Sequence, residues 1–161
     1  MQIGPLFLDP GDIDSALRLV AATAAGLALG LNRDLSDKPT GMRTLGLVAL
    51  GAALAALAGL RAQGVAGDPD ATSRVIQGVI QGVLTGIGFL GAGVVLRDRS
   101  AGRIRGLTTA ALVWVTAAVG IACALASWVL IALGVGLALF LLVVLHPLEK
   151  KLERRAGGDQ P

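Results

Sequence analysis

One stretch of the chain, residues 107–145, contains no Asp, Glu, Lys, Arg or His. Built as a single helix at about 1.5 Å per residue, it would be nearly twice as long as a hydrocarbon core of ~30 Å requires. The stretch must therefore fold back on itself, and a bilayer is the solvent that accommodates it. The fold-back is expected within residues 123–128, where Ser127 and Trp128 suit a membrane interface. Three further apolar blocks come first, at residues 13–31, 44–60 and 75–96. The expected fold class is all-α: a polytopic transmembrane helix bundle of about five spans. Composition agrees, because 54% of residues are hydrophobic and 16% are charged, against ~25% charged in ordinary soluble domains.

Basic residues give the orientation. Arg33, Lys38 and Arg43 follow the first block. Arg97, Arg99, Arg103 and Arg105 follow the third, and Lys150, Lys151, Arg154 and Arg155 follow the last. Only Arg18, Arg61 and Arg74 fall on the other side, eleven against three. The positive-inside rule then predicts a cytoplasmic C-terminus and an outside N-terminus. Asp9 and Asp12 before the first block, and Asp14 at its start, argue against a signal peptide. Arg18 lies one turn inside that block and is expected to snorkel outward. Residues 1–148 read as one transmembrane domain, and residues 149–161 as a basic tail with no appended soluble domain. From Pro147 the tail reads LEKKLERR, the pattern of an amphipathic helix lying on the cytoplasmic surface.

Hydrophobicity does not drive helices together in lipid, whereas close backbone approach at small residues does. Ala22, Gly26 and Gly30 recur at steps of four, as do Gly51, Ala55 and Gly59, and Gly78, Gly82 and Gly86. With Gly88, Gly91 and Gly93, these positions are expected to pack helices within one bundle or to form a homodimer face. Beside the third glycine row runs a polar one, Gln77, Gln81 and Thr85. Amides in hydrocarbon are costly unless bonded, so this row either bonds neighbouring helices or lines a hydrated cavity. Thr108, Thr109 and Thr116 carry the same alternatives, with bonding back to their own helix carbonyls favoured.

No ionisable residue lies at the middle of a span, where it would signal function. The charged candidates are Asp34, Asp37 and Asp98, each expected to pair with a neighbouring arginine at the surface. His146 reads as structural, and Cys123 as a small buried thiol. There is no G-x-S-x-G elbow and no H-E-x-x-H pair. The glycine run GIGFLGAG lacks the lysine of a phosphate loop. These residues predict no catalytic site, cofactor or metal site, and no basic–aromatic surface for nucleic acid.

The first and third blocks end alike, in Asn32-Arg33-Asp34 and Leu96-Arg97-Asp98. They suggest parallel repeats that would gather Arg33, Asp34, Arg43, Arg97, Asp98 and Arg105 on one face as an anion-attracting patch.

Three segments carry a family resemblance: GLNRDLSDKPTGMRTLGLVALGAAL (residues 30–54), GIGFLGAGVVLRD (86–98) and RGLTTAALVWVTAAVGIACALA (105–126). Together they resemble the MgtC/SapB family of bacterial inner-membrane proteins. The resemblance implies a multi-pass inner-membrane protein linked to growth in low magnesium, regulating other membrane machinery that includes ATP synthase. The matching residues are Arg33, Asp34, Gly41, Arg43, Thr44, Gly86, Gly88, Gly91, Gly93, Arg97, Asp98, Arg105 and Gly106. Asn32 stands where the family usually has glutamate. Thr108 and Val115 stand where virulence-type members carry Asn and Cys, and the chain is similar to the short SapB-like branch. The expected function is a non-enzymatic regulator acting through a partner protein, with homo-oligomers allowed. The alternative is a small-solute or magnesium transporter using the polar row of the third span.

Overall fold

The computed structural model describes residues 10–36, 38, 40–62, 67–98 and 103–145. These residues form α1 (Pro10–Asp34), α2 (Met42–Leu60), α3 (Pro69–Gly93), α4 (Leu107–Leu125) and α5 (Trp128–Phe140). Two three-residue strands, β1 (Leu96–Asp98) and β2 (Arg103–Arg105), form an antiparallel hairpin between α3 and α4. The all-α bundle expected from the sequence is present, with this hairpin as an addition. The helices α1 to α4 are each long and apolar enough to cross a membrane, and residues 128–144 form a shorter apolar helix. The tail from His146 and the site candidate Asp37 lie outside the described residues.

Local chemistry sets the helix ends. Pro69 opens α3, and the Asp68 carboxylate accepts from the N–H groups of Asp70 and Ala71 at 2.9 and 3.1 Å, satisfying donors that lack intrahelical partners. The third apolar block was expected to stay helical to residue 96. The helix instead ends at Gly93, and Leu96 begins β1. Val94 and Val95 donate to the carbonyls of Gly91 and Ala92, tightening the last turn. The chain then extends so that Leu96 pairs with Arg105. Gly106 turns the chain into α4 at φ +93, a conformation glycine adopts without steric cost. The long uncharged stretch breaks at Ala126–Ser127, inside the expected window, and Ser127 Oγ accepts from Leu130 N–H at 3.5 Å.

The helices alternate in direction. α2 and α4 form the centre, each touched by both α1 and α3, while α5 leans mainly on α4. Alanine dominates the contact surfaces: Ala22, Ala25, Ala49, Ala53, Ala56 and Ala124 are all buried in one cluster. A second cluster joins Leu29, Leu45, Leu112 and Val113. Side chains this small let the helices approach until dispersion between backbones contributes, ~0.1–0.2 kcal/mol per carbon pair but over many pairs. The tightest approaches are at glycine. A Cβ on Gly26 would lie 2.5 Å from the Leu45 carbonyl oxygen, and one on Gly30 would lie 2.6 Å from the Met42 nitrogen.

The two junctions that the expected repeat makes equivalent differ. Helix α1 runs through Arg33 and Asp34 before turning, whereas the equivalent Arg97 and Asp98 lie in a strand.

Candidate functional site

The charged residues singled out by sequence gather at one end of the bundle, where α1 ends and α2 and α4 begin. Arg33 is 2% exposed, and its Nη2 donates to Thr109 Oγ1. Its Nε is buried without a hydrogen-bond partner. Thr109 is itself 2% exposed, while Thr108 and Arg43 are exposed. Among the described residues, the expected surface pairing of Asp34 with a neighbouring arginine is not seen. Its carboxylate instead accepts from the Met42 N–H at 2.9 Å, placing a negative charge at the positive end of α2. A Cβ on Gly41 would overlap that carboxylate, which explains a glycine at this turn. Thr40, just before it, has φ +63, uncommon for a β-branched residue. Arg97, Asp98 and Arg105 are placed by backbone alone, in the adjoining hairpin.

The second constellation is on α3. Gln77, Gln81 and Thr85 are exposed, as are Gly78, Gly82, Gly86, Gly88 and Gly93. A Cβ on any of these five glycines would meet nothing within 4 Å. Gly91 is the buried one, and a Cβ there would lie 3.7 Å from the Ala110 carbonyl oxygen. The inner face of α3 holds Val79, Val83, Leu84 and Ile87 against the core. The polar and glycine rows therefore point out of the bundle. Only 6% of the apolar window of α3 is buried, against 56% for α4. Among the described residues, none of the three polar side chains has a hydrogen-bond partner.

The opposite end holds residues that the sequence did not flag as functional. Arg18 was expected to snorkel outward; its side chain meets the end of α4, donating from Nη1 to the carbonyls of Cys123, Ala124 and Ala126 at 3.1, 3.3 and 3.4 Å. These oxygens belong to the end of α4, where carbonyls lack helical partners and a cation is favoured. The Asp14 carboxylate holds Arg18 Nε at 2.7 Å, and the Trp128 ring lies 5.6 Å from the guanidinium carbon. Arg61 at the end of α2 donates to Asp12, to the Gly11 carbonyl and to Ser15 Oγ. The available signal was an apolar helix end with no cationic residue of its own. Thr116 follows the local pattern, donating back to the Leu112 carbonyl at 2.7 Å. Among the described residues, no three His, Cys, Asp or Glu side chains converge as metal ligands.

The chain matches the MgtC family over residues 19–151, a region that takes in α2 to α5 and most of α1. It is 42% identical over 122 residues to the protein SrpB of Synechococcus elongatus, covering 71% of this chain and 66% of SrpB. It is 38% identical over 109 residues to MgtC of Salmonella typhimurium, covering 68% of this chain and 42% of that protein. It is 34% identical over 119 residues to SapB of Bacillus subtilis, covering 72% of this chain and 48% of SapB. The chain thus spans between about two-fifths and two-thirds of the length of these curated relatives. No solved structure matches it. With helices able to cross a bilayer and this likeness over most of its length, the chain is a multi-pass membrane protein and belongs to the MgtC family.

Proposed function

We propose that this chain is a non-enzymatic regulator of the bacterial inner membrane that binds a partner protein within the bilayer through the outward face of α3. One observation carries this reading: Gln77, Gln81 and Thr85 stand exposed beside the open row Gly78, Gly82 and Gly86. Hydrocarbon offers no hydrogen-bond partner to an amide, so lipid is a poor neighbour for this face. A second helix is a good one, because the glycines admit its backbone and the amides bond to it. The family resemblance makes machinery of magnesium homeostasis or membrane energetics, ATP synthase included, the first place to look for that helix. Orientation enters the same proposal, with the Arg33 end cytoplasmic and the Arg18 end outside.

Photocrosslinking in native membranes tests it. A photoreactive residue at Gln81 or Gly82 is expected to give a discrete adduct with another protein, whereas one at Leu133, on the exposed side of α5, gives lipid adducts. Equal labelling from both helices would sink the proposal. A transporter reading uses the same polar row, but that row lies on the outside of a single bundle and lines a path only between copies. Purified protein in liposomes that moves magnesium, and stops when Gln81→Leu is made, would establish transport over regulation.

A further inference from the structure

We infer that the start of α4 and the buried Arg33 side chain form an oxyanion site that takes a phosphate group. Helix α4 begins after Gly106, which has no side chain to accept hydrogen bonds from the first-turn N–H groups. The other described junctions differ: Asp68 caps α3, Ser127 caps α5, and the Asp34 carboxylate meets α2. A free helix N-terminus favours an anion but does not make a site by itself. The second observation is Arg33. It is 2% exposed, its guanidinium reaches Thr109 in the first turn of α4, and its Nε–H is buried and unspent.

Arg33 lies in the last turn of α1, where a cation is favoured, but its guanidinium is buried and also meets the positive end of α4, and both of these are unfavourable. The nearby carboxylate, Asp34, is engaged with the Met42 N–H rather than with Arg33. The one partner of Arg33 among the described residues is a neutral hydroxyl. An anion would relieve both terms at once. Thr109 Oγ1 accepts from Arg33, so its own proton is available to a further acceptor. Two unspent donors, Arg33 Nε–H and Thr109 O–H, thus adjoin the uncapped N–H groups of the first turn. Leu107 and Thr108 are exposed beside them, and this edge gives a ligand its approach. Several donors converging with one positive charge match an oxyanion, and guanidinium geometry favours phosphate over a halide. Helix ends lie at headgroup depth, so the phosphate has two sources: a phospholipid headgroup or free inorganic phosphate.

The test uses the full chain in micelles of a non-ionic detergent that carries no phosphate, probed with inorganic phosphate and, separately, with added anionic phospholipid. Thermal stability is expected to rise with one of the two probes, and the probe that acts identifies the source. Native mass spectrometry should show the lipid retained if the headgroup is the ligand. Arg33→Gln is expected to weaken the response about tenfold to a hundredfold, the size of a charge-assisted hydrogen bond. Thr109→Val should weaken it less, and Arg33→Lys should keep part of it. If Arg33→Gln fails to fold, the wild-type titration and Thr109→Val decide the question. A wild-type protein indifferent to both probes overturns the inference. So does a response that survives in both variants.

Discussion

Helices α1 and α3 carry the same sequence device and put it to opposite use. Each has small residues at steps of four, Ala22, Gly26 and Gly30 on α1 and Gly78, Gly82 and Gly86 on α3. On α1 the row is buried, and glycine is required because the backbone of α2 lies where a side chain would start. On α3 the row faces outward with nothing within 4 Å. The polar residues follow suit. Those of α1 tie it to its neighbours at both ends, Arg18 to α4, Arg33 to Thr109 and Asp34 to α2. Gln77, Gln81 and Thr85 on α3 are exposed. A small-residue row therefore marks a surface that wants a helix, without saying which chain supplies it.

The widest separation should come from valine in the two rows. Gly26→Val puts a branched side chain into the Leu45 carbonyl and the Gly46 Cα. Neither atom can swing aside as a side-chain tip would, so the cost should reach the top of the ~1–3 kcal/mol range for overpacking. Gly82→Val should leave the denaturation of the purified chain unchanged and remove the α3 crosslink in native membranes. Equal destabilisation by both would mean that α3 is packed within the monomer after all. Next in size is Arg18→Met. It strips the cation from three carbonyls at the end of α4 and should cost ~1.5–3 kcal/mol, the worth of hydrogen bonds to a charged group. Hydrogen exchange should quicken at the Ala126 amide, which closes the last turn of α4 on the Ala122 carbonyl, and stay unaltered along α3.

The parts of this fold legible in the sequence are those set by local quantities. Apolar length gave the spans, and charge clustering placed Arg33, Asp34, Arg43 and the hairpin arginines at one end. Ser127 and Trp128 marked the break between α4 and α5. What was not legible depends on partners distant in sequence. Val94, Val95 and Leu96 continue an apolar block, yet the helix stops before them, and pairing with Arg103–Arg105 makes a strand of Leu96–Asp98. Arg33 and Asp34 are adjacent charges of opposite sign, a pattern that reads as a surface pair. Their separation comes from α2 offering a free N–H and α4 offering a hydroxyl. Whether a glycine row faces inward was equally hidden, because α1 and α3 are alike in their own residues and differ in what lies opposite.

The smallest expected effect is at Arg61, and it separates two explanations for the docking of α1. Arg61 joins the end of α2 to the start of α1 through Asp12, Gly11 and Ser15. Its side chain is 48% exposed and that of Asp12 is 42% exposed, so water and salt screen the pair. Arg61→Ala should therefore cost no more than ~1 kcal/mol, and less in high salt. The glycine contacts of α1 are dry and carry no charge, so the defect of Gly26→Val should not respond to salt. If Arg61→Ala proves as damaging as Gly26→Val, α1 is held by its polar ends rather than by backbone approach. The open glycines of α3 would then lose their standing as an unfilled version of the same interface.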